Sequence, residues 1–361
     1  MGLPKTNLIT LFILVALLHL AAIAAASEPI PSFNITGFNE KTDATPFAFV
    51  GSDPSYPSID DKALQLTRDT YDKNDTHDYT VFHNKSGRAM YNKSFKLWHD
   101  NLNDDAILAS FNSTFVINLW HDNLNWKAGH GLAFLIAPNV SIPEASYGQW
   151  MGLSNGTTDG NRANQIVAIE FDTKQDGAFD PDDNHVGLNI NSIRSNKTIP
   201  LSNFSIQLSP PNAISYSVWV QYDGKSKLME VYMVKEGDPK PDTPLLNETI
   251  NLKDHVNQES YFGFSASTGD PEIQFNCVLK WSLAVENFPK KKDWMWLKVG
   301  APAVLVLILF VVGIGVVYMK KKRRTSFEES DMLGTLKRLP GMPREFRCIL
   351  IFTTYMMRKL D

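Results

Sequence analysis

The chain has 361 residues, of which 43% are hydrophobic and 20% are charged, and its formal net charge is −4. This composition excludes a fibrous or disordered chain, and the near-neutral charge gives no sign of nucleic-acid binding. Only two cysteines are present, which excludes a disulfide-stapled scaffold and a four-cysteine zinc site.

The first strongly apolar stretch runs from Leu8 to Ala26 and follows the basic residue Lys5. It ends in small residues, with Ala24 and Ala26 placed before Ser27 as in a cleavage site. A basic start, an apolar centre and a small-residue end are typical of a secretory signal peptide. We therefore predict that residues 1–26 are a signal peptide; an N-terminal membrane anchor is the alternative.

Residues 27–288 consist of short runs rich in aromatic and β-branched residues, separated by turn residues, which is typical of strands. The dipeptide Asp223-Gly224 between two such runs predicts a hairpin. The predicted strands are 111–120, 131–137, 165–172, 215–222, 228–234, 261–265 and 277–283. These runs predict one large antiparallel β-sandwich.

The segment 167–187 carries the most informative residues of the chain. Glu170 and Asp172 are two apart on a predicted strand and therefore face the same side. A loop dense in acidic residues follows, and His185 opens the next strand. Oxygen ligands favour calcium, and carboxylates with one imidazole suit manganese or another transition ion. The segment predicts a divalent-cation site, with a solvated acidic loop as the alternative.

Two other interpretations of this segment fail on single residues. An EF-hand needs an oxygen ligand at its third position and glutamate at its twelfth, where this chain has Lys174 and Asp183. A retaining glycosidase needs two carboxyl groups about 5 Å apart across the scissile bond. The next position on the same strand face after Asp172 is Lys174, so a third acidic residue in a Glu-x-Asp-x-Glu array is absent. We therefore predict that the chain is not an enzyme.

The same segment resembles the metal loop of the legume (L-type) lectin family. Further segments of the chain resemble the family's other motifs, in the same order: residues 86–91, 128–138, 152–155 with 160–165, 218–224, and 263–269 with 281–282. The resemblance covers nearly all of residues 27–288. It implies an all-β fold, a concanavalin-like jelly-roll β-sandwich, that binds carbohydrate.

The resemblance also implies a ligand set for two metal ions. For a transition ion such as Mn²⁺ the implied ligands are Glu170, Asp172, Asp180 and His185, with Ser195 holding a metal-bound water. For Ca²⁺ they are Asp172, the backbone carbonyl of Lys174, Asp176 and Asp180. The family has asparagine where this chain has Asp176, and a carboxylate can still bind calcium.

The ligand contacts implied by the resemblance fall at His130, Gln149 and Asp176. The family has an aspartate, preceded by a cis peptide, at the position of His130, and an aromatic residue at that of Lys174. Asp176 cannot donate a hydrogen bond while ionised, as an asparagine amide would. Three of four sugar contacts have changed chemistry. Two interpretations stay open: a cleft adapted to another ligand, and a His130 that only fills space.

The second strongly apolar stretch, 299–319, contains no charged residue, and 21 helical residues rise about 31 Å, close to one bilayer core. Trp294 and Trp296 precede it, and the basic run 320–324 follows it. Aromatic residues prefer the membrane interface, and positive charge marks the cytoplasmic side. The pattern predicts a type I plasma-membrane protein with one transmembrane α-helix, an extracellular domain, a stalk at 289–298 and a cytoplasmic tail at 320–361.

Ten N-x-S/T sequons lie on the predicted outer side, and their density favours a glycosylated extracellular surface. The predicted glycosylation sites are Asn34, Asn74, Asn84, Asn92, Asn112, Asn139, Asn155, Asn196, Asn203 and Asn247.

Within the family, the chain is similar to plant L-type lectin receptor-like kinases. The basic tail has no glycine-rich loop, strand lysine, HRD or DFG motif, all of which phosphoryl transfer needs, so we expect it to lack a kinase domain. The resemblance implies recognition of a glycan or glycoprotein at the cell surface, with a kinase-bearing co-receptor as partner and no nucleic acid. A homo-oligomer stays open. The alternative is a protein–protein interaction module, a co-receptor or decoy, on a lectin scaffold without sugar binding.

Overall fold

The structure, a computed structural model, describes residues 32–39, 41–60, 62–68, 79–100, 105–121, 128–177, 180–210, 212–288 and 301–337, with eight more after them. The predicted signal peptide at 1–26, the predicted stalk at 289–298 and the sequon at Asn74 lie outside the described residues. The chain divides into two units, Met1–Phe288 and Pro289–Asp361.

The first unit contains eighteen described strands. They are β1 (Ser32–Ile35), β2 (Phe47–Gly51), β3 (Ser58–Asp60), β4 (Ala63–Gln65), β5 (Ser86–Tyr91), β6 (Phe95–Lys96), β7 (Trp98–His99), β8 (Ile107–Leu108), β9 (Phe111–Trp120), β10 (Leu132–Ala137), β11 (Val167–Asp172), β12 (His185–Ile190), β13 (Ser195–Pro200), β14 (Ser215–Asp223), β15 (Leu228–Lys235), β16 (Leu246–Thr249), β17 (Glu259–Ser267) and β18 (Phe275–Val285). The seven strands predicted above are all present, and β14 and β15 form the predicted hairpin.

Two antiparallel sheets account for most of these strands. Sheet A has the order β16-β15-β14-β9-β18-β4-β3, with β1 pairing β18. Sheet B has the order β13-β12-β11-β10-β17-β5-β2, with β6 pairing β17. Neighbours that are distant in sequence, such as β9 beside β18, show that the chain crosses repeatedly between the sheets.

Aromatic residues join the inner faces of the two sheets. The Phe115 ring of sheet A lies 5.3 Å from that of Phe134 in sheet B, and Phe264 of sheet B lies 4.9 Å from Trp281 of sheet A, centroid to centroid. Trp281 is fully buried, and its indole N–H donates to the Ser113 hydroxyl at 3.0 Å. Burying large aromatic surfaces of this kind supplies most of the driving force for packing the two sheets.

Sheet B is buried on its outer face as well. Every residue of β10 and β11 is buried. In a sheet with one face exposed to solvent, buried and exposed residues would alternate along each strand. A second apolar cluster covers this outer face, with Leu135 and Ala168 of the sheet packed against Met151 and Leu153 of the preceding loop. The outer face of sheet B is therefore the place where loops and strands together form enclosed sites.

In the second unit, helix α1 spans Ala301–Lys337. Its side chains are described without a gap from Ile308 to Glu328, and the large apolar ones between Ile308 and Met319 are exposed. The first residues of the predicted membrane span, 299–307, lie outside the described side chains. In the part of the chain that the structure describes, no helix is both long and apolar enough to cross a membrane.

Candidate metal and ligand site

Strand alternation places Glu170 and Asp172 on the outer face of sheet B. Their neighbours Ile169 and Phe171 point inward and join the main core, so the two acids must point outward. In the adjacent strand β12, the residue opposite Asp172 is His185. The pairing register of two strands thus brings two carboxylates and one imidazole together, as the sequence predicted.

These three side chains form a buried cluster, which we call the strand cluster (Glu170, Asp172, His185). One ligand atom from each lies within 4.8 Å of the others, and all three residues are buried. His185 Nδ1 lies 3.1 Å from the Asp182 carbonyl oxygen, which favours the tautomer with a proton on Nδ1. The other ring nitrogen, Nε2, is buried 3.4 Å from Glu170 Oε1, close enough for an ion pair when the ring is protonated, although no hydrogen bond forms. Loss of that proton would make Nε2 available as a metal ligand.

The electrostatics of the strand cluster favour a cation. Burial raises the pKa of Asp172 well above its ordinary value, and the nearby Glu170 charge raises it further. Burial also raises the pKa of Asp180 to about 6. Burial lowers the pKa of His185, but the surrounding carboxylates outweigh it and raise that pKa to about 9. The shifts of the two aspartates thus come first from burial and then from neighbouring negative charge, and a divalent ion would offset both effects.

A second layer of polar residues holds the strand cluster. Asn189 donates its amide to Glu170 Oε2 at 2.6 Å, and the Ser195 hydroxyl bonds to Glu170 Oε1 and to Asn189 Oδ1. Gly187, opposite Glu170 in the ladder, leaves the space for this arrangement, since a Cβ there would lie 1.9 Å from Ser195 Oγ. The resemblance placed Ser195 near the metal. Nothing in the sequence analysis singled out Asn189, although strand alternation puts it on the same face.

The loop after β11 folds back on the strand cluster through backbone donors. The Lys174 N–H donates to Asp172 Oδ1, and the Asp176 N–H donates to Asp180 Oδ2, each at 2.7 Å. Asp180 lies in the same loop, at the edge of the site, and is joined to Asp176 by this hydrogen bond. The structure brings three of the four transition-ion residues into one group and leaves Asp180 outside it.

A second polar group lies on the loops, and we call it the loop cluster (His130, Lys174, Asp176, Glu272). His130 Nδ1 lies 2.5 Å from Asp176 Oδ2. Lys174 Nζ lies 3.4 Å from Asp176 Oδ1 and 3.1 Å from Glu272 Oε1. Burial raises the pKa of Asp176, but the hydrogen bond and charge of His130 and the Lys174 ammonium outweigh it, so that pKa is below its ordinary value.

Two glycine-containing loops enclose the imidazole of His130, which is 4% exposed. A Cβ at Gly269 would lie 2.8 Å from His130 Nε2, and one at Gly148 would lie 3.7 Å away. Gln149 follows Gly148 in a short 3-10 helix whose Gly148 N–H donates to the Thr268 carbonyl at 3.0 Å. The predicted ligand residues His130, Gln149 and Asp176 thus lie in neighbouring loops. The cis peptides of the described residues are Tyr56-Pro57 and Asp270-Pro271, so the bond before His130 is trans.

Glu272 is the ligand-side residue that sequence analysis missed. It lies in the loop between β17 and β18, about a hundred residues along the chain from Lys174 and still further from His130. No periodicity or motif links such distant positions, so only the fold reveals the contact.

The described sequons differ in the accessibility of their asparagines. The exposed ones are Asn34, Asn84, Asn92, Asn112, Asn139, Asn196, Asn203 and Asn247. Asn155 is half-buried, and its amide nitrogen donates to the Glu144 carbonyl at 2.9 Å. Its Oδ1 accepts from the backbone of Thr157 and Thr158. Asn155 is therefore less accessible than the other described sequon asparagines, and its glycosylation stays a prediction.

A family model described as "Legume lectin domain" matches residues 31–298. The probable L-type lectin-domain containing receptor kinase S.5 of Arabidopsis thaliana is 32% identical over 269 residues, which is 73% of this chain and 39% of that protein. The L-type lectin-domain containing receptor kinase IV.1 of the same plant is 32% identical over 268 residues, 68% of this chain and 39% of that protein. The chain thus spans about two fifths of the length of these curated relatives.

Solved structures of the same fold match this chain over nearly their whole length. Lectin UEA-II complexed with galactose is 26% identical with a TM-score of 0.57, covering 71% of this chain and 99% of that one. Peanut lectin with a nine-residue peptide is 25% identical with a TM-score of 0.58, covering 73% of this chain and all of that one.

Proposed function

The chain belongs to the legume lectin domain family, and from that premise we propose that it binds a glycan or glycoconjugate at the loops on the outer face of sheet B. The observation that carries the proposal is the strand cluster, in which two buried carboxylates and one imidazole lie within 4.8 Å of one another, beside the loop that carries Lys174 and Asp176. Lys174 and Asp176 belong to the loop whose Lys174 N–H donates to Asp172, so one loop contacts the strand cluster and carries part of the loop cluster.

A transition ion such as Mn²⁺ fits the strand cluster in donor type and charge. Glu170, Asp172 and His185 would hold it, with Asp180 at the edge and Ser195 near enough to hold a bound water. When bound, the ion supplies the positive charge that these buried carboxylates lack. The chain's own residues then keep the loop fixed through the backbone donors of Lys174 and Asp176.

The ligand side offers both acceptors and donors for hydroxyl groups. The Asp176 and Glu272 carboxylates accept hydrogen bonds, and the Lys174 ammonium donates them. Gln149 contributes its backbone N–H or its amide from the loop beside His130. Because the carboxylates are already paired with His130 and Lys174, a ligand must compete with internal ion pairs. We therefore expect recognition of an extended glycan rather than of a single hexose.

We place the domain outside the plasma membrane of a plant cell, as in the receptor kinases to which the chain is similar. The support is sequence-based: the signal-peptide pattern at 1–26, the uncharged segment 299–319 followed by basic residues, and the sequons. Eight exposed sequon asparagines on the lectin unit agree with an extracellular surface. A kinase-bearing co-receptor is the partner we propose.

A second candidate function is protein binding on the same scaffold. It is favoured by the altered sugar contacts at His130, Lys174 and Asp176, and by the peptide named with peanut lectin, a structure of the same fold. In that case the loop cluster would present fixed charges to a protein surface, and glycans would not compete.

A glycan array probed with the full chain, with and without chelator, tests the proposal. We expect binding to oligosaccharides that is lost in chelator and lost in Asp172→Asn. Lys197→Met is the matched control, because Lys197 pairs with Glu248 on another part of the unit, 2.9 Å away, and should leave binding unchanged. Binding to no glycan, together with capture of peptides, would replace the glycan proposal by the protein-binding one.

A further inference from the structure

The loop cluster contains a lysine ammonium, whereas the basic group of the strand cluster is the His185 imidazole, 3.4 Å from Glu170 Oε1. The resemblance implies that calcium would share Asp172, the Lys174 carbonyl, Asp176 and Asp180. In this chain the Asp176 carboxylate already has a cationic or donor group at each oxygen: His130 Nδ1 at Oδ2 and Lys174 Nζ at Oδ1. The Asp176 and His130 side chains are only 14% and 5% exposed, so solvent weakens their contact less than that of Lys174, which is 30% exposed.

The other implied calcium oxygens are also engaged. Asp172 Oδ1 accepts the Lys174 N–H and Asp180 Oδ2 accepts the Asp176 N–H, each at 2.7 Å. Three of the four implied calcium residues therefore have an internal donor on a carboxylate oxygen. Calcium binding would require the loop to exchange these bonds for metal–oxygen contacts, and calcium prefers six to eight such oxygens.

The Lys174 ammonium adds a second obstacle. It lies within 3.4 Å of two carboxylates, Asp176 and Glu272, and already neutralises charge on this side of the loop. A calcium ion at Asp176 would share a carboxylate with that ammonium, and two cations on one half-buried carboxylate repel each other. At the strand cluster, by contrast, the basic group is the His185 imidazole, which lies 3.4 Å from Glu170 Oε1 and becomes a metal ligand once it gives up its proton.

We propose that this chain binds one transition ion at the strand cluster and no calcium, because the Lys174 ammonium and the His130 imidazole occupy the carboxylate that calcium would use. The loop is then held by ion pairs within the chain instead of by a second metal. The inference rests on the metal site of the proposed function but not on glycan binding.

Metal titration of the metal-stripped full chain tests the proposal without any glycan. Manganese binding is followed by the electron paramagnetic resonance signal of free Mn²⁺, and calcium binding by equilibrium dialysis with radioactive calcium. We expect about one manganese per chain and no stoichiometric calcium up to about 1 mM, the range of weak extracellular calcium sites. Stoichiometric calcium binding by the unmodified chain overturns the proposal.

Variants that release Asp176 give the converse test. His130→Asn combined with Lys174→Phe, and Lys174→Met alone as a smaller change, should each tighten calcium binding by about tenfold or more. Lys197→Met removes an ion pair elsewhere and should change nothing. If circular dichroism shows folded variants that gain no calcium, the ion pairs are not the reason and the proposal fails. If the variants gain calcium while the unmodified chain binds neither metal, the calcium inference stands and the manganese part of the proposed function fails.

Discussion

The strand cluster and the loop cluster lie side by side, yet they are built in different ways. Glu170, Asp172 and His185 belong to two paired strands, so the ladder of β11 and β12 fixes their spacing. His130 and Glu272 come from loops before β10 and after β17, which meet only in the folded unit. Residues on strands keep their geometry when the chemistry around them changes. Residues on loops are free to be rearranged, and here they bond to one another.

The charge balance of the two clusters differs as well. In the strand cluster the carboxylates raise the pKa of His185 to about 9 and still leave Asp172 with a raised pKa. In the loop cluster the pKa values of Asp176 and Glu272 are both lowered, because His130 and Lys174 outweigh the effect of burial. A divalent cation would therefore offset buried charge in the strand cluster, whereas the carboxylates of the loop cluster already have internal partners.

The largest expected effect comes from filling the space beside the strand cluster. In Gly187→Ala the new Cβ would lie 1.9 Å from Ser195 Oγ and 2.3 Å from Glu170 Oε1, so both side chains must move. Overpacking of this kind costs about 1–3 kcal/mol of unfolding free energy, and we expect manganese binding to be lost with it. Thermal unfolding and metal titration measure the two effects. Gly37→Ala, with nothing within 4 Å of the new Cβ, is the control; equal behaviour of the two variants would contradict the prediction.

Asp172→Asn should separate metal binding from folding. Manganese at a hundredfold excess over its dissociation constant stabilises the unmodified chain by about 2.7 kcal/mol, and the variant should lose that increment. In chelator the variant should be as stable as the unmodified chain or more so, because the lost charge was repelled by Glu170. Differential scanning calorimetry in both conditions checks this. The same loss of stability in chelator and in manganese would mean that Asp172 has a purely structural role.

The metal-free chain should lose stability as the pH rises. The pKa of Asp180 is raised from 3.8 to about 6 and that of His185 from 6.5 to about 9. Between each pair of values the folded chain holds a proton that the unfolded chain has released, so stability falls as pH rises through both windows. Bound manganese displaces these protons, and the melting temperature should then depend less on pH. Unfolding curves between about pH 4 and pH 9 in chelator should decline steadily; a rise would contradict the assignment.

Much of the strand cluster could be predicted because alternation along a strand is local. The spacing of Glu170 and Asp172 predicts a shared face, and His185 at the start of the next strand completes the group. The loop cluster was accessible only in part. The resemblance located His130 and Asp176 in the ligand region, but it did not show that they bond to each other, nor that Lys174 reaches Glu272. Those contacts depend on side-chain directions in loops, which no sequence period specifies.

The smallest expected effect is that of Glu272→Gln, and it tests whether the loop cluster serves ligand selection alone. The Lys174–Glu272 pair lies near the surface, with the lysine side chain 30% exposed, and pairs of this kind contribute only about 0–1 kcal/mol. We therefore expect the melting temperature and the manganese stoichiometry to stay unchanged, while the pattern of bound glycans shifts because one acceptor carboxylate is lost. Glu248→Gln, which breaks the Lys197 pair at a distance from the loops, is the matched control and should leave the glycan pattern as it was. If Glu272→Gln weakens manganese binding as strongly as Asp172→Asn does, the two clusters act as one unit and the separation drawn between them is wrong.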